Sequence, residues 1–282
     1  MNTIRDITKA LDRITTHRRH NDIFDDWLAV THATLRMLPA HARSVALSGE
    51  LATDDEEATE LWTRLRERAG YDAQDFKHFA LAYGALLAGS DDGGKPDYKD
   101  ALGEIYMSWA HPNAHTGQFF TPWCLCQMAA QMIVGDPLIE LSSRIVEAIG
   151  IDWSTLGMDP TMPATLEHIA TRYLPDHIER YRPITVQDPA VGSGGMLLAV
   201  AETYPQWAVR MGLVQFFGQD IDYTCVLMCR INCMLYGLNG YSLQLSAAIA
   251  PALVAPTPVE AVVLHVEAGE TDLFGDALRK VA

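Results

Sequence analysis

The string Asp188-Pro-Ala-Val-Gly-Ser-Gly-Gly195 constrains the fold more than any other feature of the chain. It follows a short apolar run at 184–186 and directly precedes a helical run at 196–200. Glycines between a strand and a helix let the backbone turn sharply and approach a ligand closely. The helix behind them offers backbone N–H groups with no partner of their own. A strand, a glycine turn and a helix in that order begin an α/β sheet whose ligand lies at the carboxyl ends of the strands. A nucleotide-like cofactor is the natural occupant. The spacing is not the GxGxxG of dinucleotide binding, and the Lys-Ser/Thr ending of a P-loop is missing. An acid opens the string instead, which suits a ligand that carries positive charge near the strand end.

The α/β rhythm continues on either side. Apolar runs at 213–217 and 261–266 read as further buried parallel strands, alternating with helical stretches at 196–202 and 223–236. The second strand closes on Gly218-Gln-Asp-Ile-Asp222. An acid at that tip commonly accepts ribose hydroxyls, a role that falls to Asp220. Asp222 is placed to cap the helix that ends at Gly237. The first hundred residues read as helices instead. Ile23, Trp27, Val30 and Leu38 recur at helical spacing, Thr53 and Glu56 form a capping-box pattern, Gly70 is a stop, and a further helix fits 72–87. Residues 89–97 are turn chemistry throughout. The expected organisation is a helical N-terminal domain at 1–97 and a ligand-binding domain at 98–282, the latter carrying an insertion at 136–182 with a helix from Pro163.

Charge bears on partners. The 282 residues hold 21 Lys plus Arg against 36 Asp plus Glu, a net of −15. Residues 1–43 are mildly basic at +2, while 44–100 carry −7 and 101–282 carry −10. Affinity for nucleic acid comes largely from neutralised phosphates, so this surface is expected to grip DNA weakly unless a partner supplies the positive charge. The basic cluster Arg13, His17, Arg18, Arg19 and His20 reads as a solvated helix face. The cysteines at 124, 126, 225, 229 and 233 make no CxxC pair, which points to reduced thiols and to the cytoplasm. Cys225, Cys229 and Cys233 share a helical face that is apolar nearly all round, the setting of core cysteines. No apolar leader opens the chain and no run of about 18 apolar residues occurs, so secretion and membrane spanning are not expected.

Three strings in order, Thr116-Gly-Gln-Phe-Phe-Thr-Pro122, Asp188 to Gly195 and Gly218 to Asp222, resemble those of the N-6 adenine DNA methyltransferases. The likeness is to the modification subunits of type I restriction-modification systems and to shorter phage or mobile-element relatives, and it covers about residues 98–240. It implies a Rossmann-like sheet that binds S-adenosylmethionine. By that resemblance Asp188 faces the methionine ammonium, with Pro189, Gly192, Ser193 and Gly194 forming the cofactor turn. Asp220 and Ile221 hold the nucleoside end. Phe120, Thr121 and Pro122 lie against the methionine end, with Thr121 as N-cap and Pro122 at the first position of a helix over 122–134. Gly275-Asp-Ala-Leu278 echoes a further family string and makes Asp276 a candidate for the target-base pocket.

One family feature is missing. These enzymes carry an Asn/Asp-Pro-Pro-Phe/Tyr string that holds and stacks the flipped adenine, yet none of the 14 prolines is followed by another. Asp136-Pro137 and Asp159-Pro160 precede the first strand and lack the aromatic. The sheet is also short: three strands are recognisable where the family has seven. An uncovered first strand would be completed by a partner subunit, a second copy, or the segments 136–182 or 241–259 folding across it. Two functions therefore compete. One is a DNA adenine methyltransferase subunit whose DNA grip and base capture come in trans. The other is a catalytically inactive cofactor-binding or scaffold component of a restriction-modification, defence or counter-defence system.

Overall fold

The computed structural model describes residues 3–14, 18–110, 120–151, 159, 162–238 and 240–244. The chain begins with α1 (Thr3–Leu11), α2 (His20–Ser48), α3 (Glu56–Glu67) and α4 (Ala73–Ser90). Their apolar stripes meet in a core that holds Ile7, Leu11, Phe24, Trp27, Leu65 and Phe79 almost without solvent contact. The starts of α3 and α4 have a chemical reason. Asp72 and Asp75 close a capping box at α4. At α3 the expected Thr53–Glu56 box is not used. Asp55 is the cap, accepting from the Ala58 amide at 2.9 Å while it pairs with Arg36, so the helix starts two residues later than the sequence pattern places its cap. Gly89 lies inside α4 rather than in a linker, and its lack of a side chain lets α1 pack closely, since a Cβ there would stand 2.2 Å from Thr3 Oγ1. The turn proper is a bridge between Asp91 and Pro96.

The second half opens with α5 (Ala101–Ile105), a π-helical turn over Tyr106–Ala110, and α6 (Trp123–Val134). Then come α7 (Pro137–Ile149), α8 (Pro163–Arg172) and a 3₁₀ turn over Leu174–Arg180. The sheet follows: β1 (Ile184–Asp188), α9 (Gly195–Thr203), α10 (Gln206–Arg210), β2 (Val214–Asp220), α11 (Tyr223–Tyr236) and β3 (Gly240–Gln244). The strands are parallel in the order β1-β2-β3, with Asp188 opposite Gly218 and Gly218 opposite Ser242. Two strands and both intervening helices stand where the hydropathy pattern puts them. The third does not come from that pattern: β3 lies at 240–244, and the expected strand at 261–266 falls outside the described residues. Segment 136–182 is more regular than expected. Asp136 caps α7 through the Leu138 amide, Pro137 takes the first position, and Leu141, Ile145, Leu166 and Ile169 are fully buried in the core beneath the sheet.

The described residues are thus mostly helical around a small parallel sheet. One face of that sheet, with Ile184, Val214 and Phe216, packs on the apolar sides of α9 and α11. On the other face Thr185 and Gln187 are exposed. Among the described residues β1 pairs with β2 alone. Met1–Leu245 cluster as one compact unit, so the change of architecture near residue 97 occurs within a single body. α2 lies along α11, Thr224 donates to Asp25 at 3.1 Å, and the Tyr236 hydroxyl reaches the carbonyls of Asp97 and Lys99. Among the described residues no helix is long and apolar enough to cross a membrane.

Candidate functional site

The carboxyl ends of β1 and β2 converge on the glycine turn. At its start the Asp188 carboxylate accepts the Ala190 amide at 3.0 Å, bending the chain off the strand. Val191 then donates its N–H to the Gln219 carbonyl at 2.9 Å, which pins the turn onto the end of β2. Its side chain lies over Gly218, where a Cβ would come within 2.9 Å of it. Gly192 donates to Asp220 Oδ2 at 2.9 Å, and Asp220 Oδ1 accepts the Asp222 amide at the same distance. Asp220 therefore ties the first strand's turn to the second strand's tip. Gly192 has φ +53 and Gly194 has φ +91, backbone that favours glycine.

Space is as constrained as the backbone. A Cβ on Gly192 would lie 3.0 Å from the Phe120 ring, and one on Gly194 would lie 3.2 Å from Cys229 Sγ. Phe120 is in turn braced by Tyr106, ring centroids 5.2 Å apart. Burial pushes the Tyr106 hydroxyl up to about 12, keeping it neutral. Cys225 and Cys229 are buried and Cys233 half-buried; burial pushes the Cys225 thiol up, while Cys229 is raised first by its bond to Cys233 and then by burial. They are core residues.

Of the sequence-predicted residues, Phe120, Asp188, Gly192, Gly194 and Asp220 come together around this turn. Pro189 is exposed at its edge, and Ile221, 55% exposed, stands beside Asp220. Asp222 caps α11 by accepting the Thr224 amide at 2.9 Å. Two details differ from expectation. Thr121 does not cap α6. Pro122 occupies the cap position with no side-chain bond, its carbonyl taking the Leu125 and Cys126 amides, because Pro122 itself has extended rather than helical backbone. Ser193 is only 2% exposed, and its hydroxyl and carbonyl are both held from the core, by Asp100 and Asn232. Asp276 lies outside the described residues, as do Thr116 to Phe119. Sequence reasoning missed Asp100, Gly103 and Asn232. Their relation to the turn spans 93 and 39 residues, and no local pattern carries it.

The arrangement offers two carboxylates at adjacent strand ends, an exposed aliphatic side chain, an aromatic ring over a glycine and the start of α9. That set suits a ligand with a cationic group, hydroxyls and a flat ring. Two comparisons with known proteins bear on what this arrangement does. The family model described as N-6 DNA Methylase matches residues 163–263, which spans α8, the glycine turn and all three strands. This supports assignment to the N-6 DNA methylase family, on two of the three strings; the Thr116 to Pro122 string lies outside the match. The chain is also similar to the ribosomal protein L11 methyltransferase of Geobacter sulfurreducens, 31% identical over 149 residues. That similarity covers 52% of this chain and 40% of the relative, so the chain spans less than half of that protein's length. Both comparisons support a methyltransferase-like function.

Proposed function

We propose that the chain binds S-adenosylmethionine at the 188–195 turn and acts as a subunit of a DNA adenine-N6 methyltransferase that needs a partner to hold DNA and capture the base. The observation that carries this is the junction of Gly192, Asp220 and Phe120 at the strand ends, where a Cβ would fill the cradle. The residues present fit the cofactor. Asp188 opposes the methionine ammonium, Asp220 has lone pairs beyond its two amide bonds for ribose hydroxyls, and Ile221 offers an apolar surface to the adenine. Phe120, with Thr121 and Pro122 behind it, shields the methionine end, and Pro189 borders the opening. The cofactor supplies an electrophilic methyl group on a sulfonium. On this reading β1, β2 and β3 are part of a Rossmann-like sheet.

Several observations support a partner. The surface is strongly acidic, and β1 has a neighbour on one side alone among the described residues. α6 exposes Leu125, Met128, Met132 and Ile133, the last two 77% and 75% accessible, and apolar side chains grouped on a surface in this way mark protein contacts. The unpaired cysteines fit the cytoplasm. A second reading is favoured by one specific fact: no Pro-Pro pair occurs in the 282 residues. On that reading the chain is a cofactor-binding scaffold without activity. Transfer of a radiolabelled methyl group to adenine-containing DNA, with and without the product of the neighbouring reading frame, separates the two. Label in DNA only when both proteins are present is the expected result. Cofactor binding with no transfer under either condition would favour the scaffold.

A further inference from the structure

We propose that Asp100 is the positioning residue of the glycine turn, a buried carboxyl that fixes the turn from behind and thereby sets its affinity for the cofactor. The proposal rests on the reading that the turn holds S-adenosylmethionine. Asp100 begins α5, where its Oδ1 accepts the Gly103 amide at 2.9 Å. An ordinary N-cap does this at the surface, whereas Asp100 is 8% exposed. Its Oδ2 accepts the Ser193 hydroxyl at 2.5 Å. Asn232 of α11 approaches Oδ1 at 3.5 Å and donates to the Ser193 carbonyl at 2.8 Å. Residues 100, 193 and 232, from three separate elements, thus close on the middle of the turn.

The surrounding glycines make room for this contact. A Cβ on Gly103 would stand 2.2 Å from Asp100 Oδ2 and 2.7 Å from Ser193 Oγ, and one on Gly195 would stand 3.2 Å from Oδ2. Its named partners, a hydroxyl and two amides, are all neutral. Burial raises the carboxyl's proton affinity and the three donors oppose that rise. Burying a carboxyl is costly, and a cap alone does not require it. What the burial achieves is fixation of Ser193, whose neighbours Gly192 and Gly194 sit in backbone that nothing in their own side chains can hold. A turn free to relax would move the Gly192 amide off Asp220.

The test uses Asp100→Ala, Ser193→Ala, the double variant, and Asp136→Ala as a control that loses a helix cap in α7, away from the turn. Affinity for S-adenosylmethionine is read by calorimetry, and exchange of the 190–194 amides in the ligand-free protein by mass spectrometry. Asp100→Ala is expected to weaken binding by about tenfold or more, the size that follows when buried hydrogen-bonding groups are left unmatched. It should also speed exchange at 190–194, and Ser193→Ala should do the same to a smaller degree. The double variant should be no weaker than Asp100→Ala, because the Ser193 hydroxyl acts through its bond to Asp100, and Asp136→Ala should bind normally. Affinity within twofold of wild type in both single variants, or losses that simply add, would overturn the proposal. If wild type binds no cofactor, the cofactor reading fails by itself. Exchange at 190–194 then decides for Asp100 when it quickens in both single variants and against it when it is unchanged.

Discussion

Gly192→Ala tests the geometry of the turn most sharply. Two separate costs can be read from the structure. At φ +53 an alanine Cβ crowds the backbone by about 1–2 kcal/mol relative to glycine. The same Cβ would lie 3.0 and 3.1 Å from Cε1 and Cδ1 of Phe120, where carbon atoms prefer about 3.5–4.0 Å. The ring must therefore retreat by about half an ångström against Tyr106, an overpacking strain of about 1–3 kcal/mol. The sum is about 2–5 kcal/mol of lost stability, measurable by urea unfolding with linear extrapolation. In a Phe120→Ala background the second cost vanishes and only the backbone part stays, so the two substitutions should couple by about 1–3 kcal/mol. A loss below about 0.5 kcal/mol, or an equal loss in both backgrounds, would refute the placement of Phe120 over the turn.

Three further outcomes follow from local chemistry. Asp222→Ala removes the cap of α11 and should lower stability by about 1 kcal/mol in the same unfolding assay, with Asp222→Asn restoring most of it. Gly103→Ala drives a Cβ to 2.2 Å from the Asp100 carboxylate and should destabilise more than alanine at the exposed C-cap Gly237, which has open space around it; melting curves compare the two. Asp55 is held down to about 2 by its bond to Arg36, helped by the Ala58 amide. Because the folded value lies below the unfolded one near 4, its stabilisation is complete above about pH 4 and is lost as pH falls toward 2. The partly exposed pair is worth at most about 1 kcal/mol. The stability gap between wild type and Asp55→Asn, measured from pH 6 to pH 2, should close over that interval.

Local signals carried the sequence reading where they were strong. The apolar runs before Asp188 and before Gly218 became β1 and β2 because the first is bracketed by Pro183 and Pro189, the second follows Gly212, and each lies beside an apolar helix. Asp222 and Gly237 marked both ends of α11. The same signals stand at Asp136, Pro137 and Gly150, the cap, first position and stop of α7, within a segment the sequence reading takes as an insertion. β3 was hard to read because Gly240 to Gln244 mixes polar and apolar residues; its place comes from pairing with β2. The start of α3 shifted because Arg36, distant in sequence, engages Asp55. The site divided along the same line. The placement of the glycine turn and of the tip of β2 was legible, since the glycines and acids that form them lie within two short strings of sequence. The supports behind them were not, since Asp100 and Asn232 look like an ordinary cap and an ordinary helical polar residue until the fold closes.

We propose that the 188–195 turn holds S-adenosylmethionine. Titration calorimetry of the whole chain with the cofactor, repeated with Gly192→Ala, tests it most directly. Saturable heat with wild type that weakens by tenfold or more in the variant is the result expected. No heat at high micromolar cofactor, or equal affinity in both proteins, would contradict it.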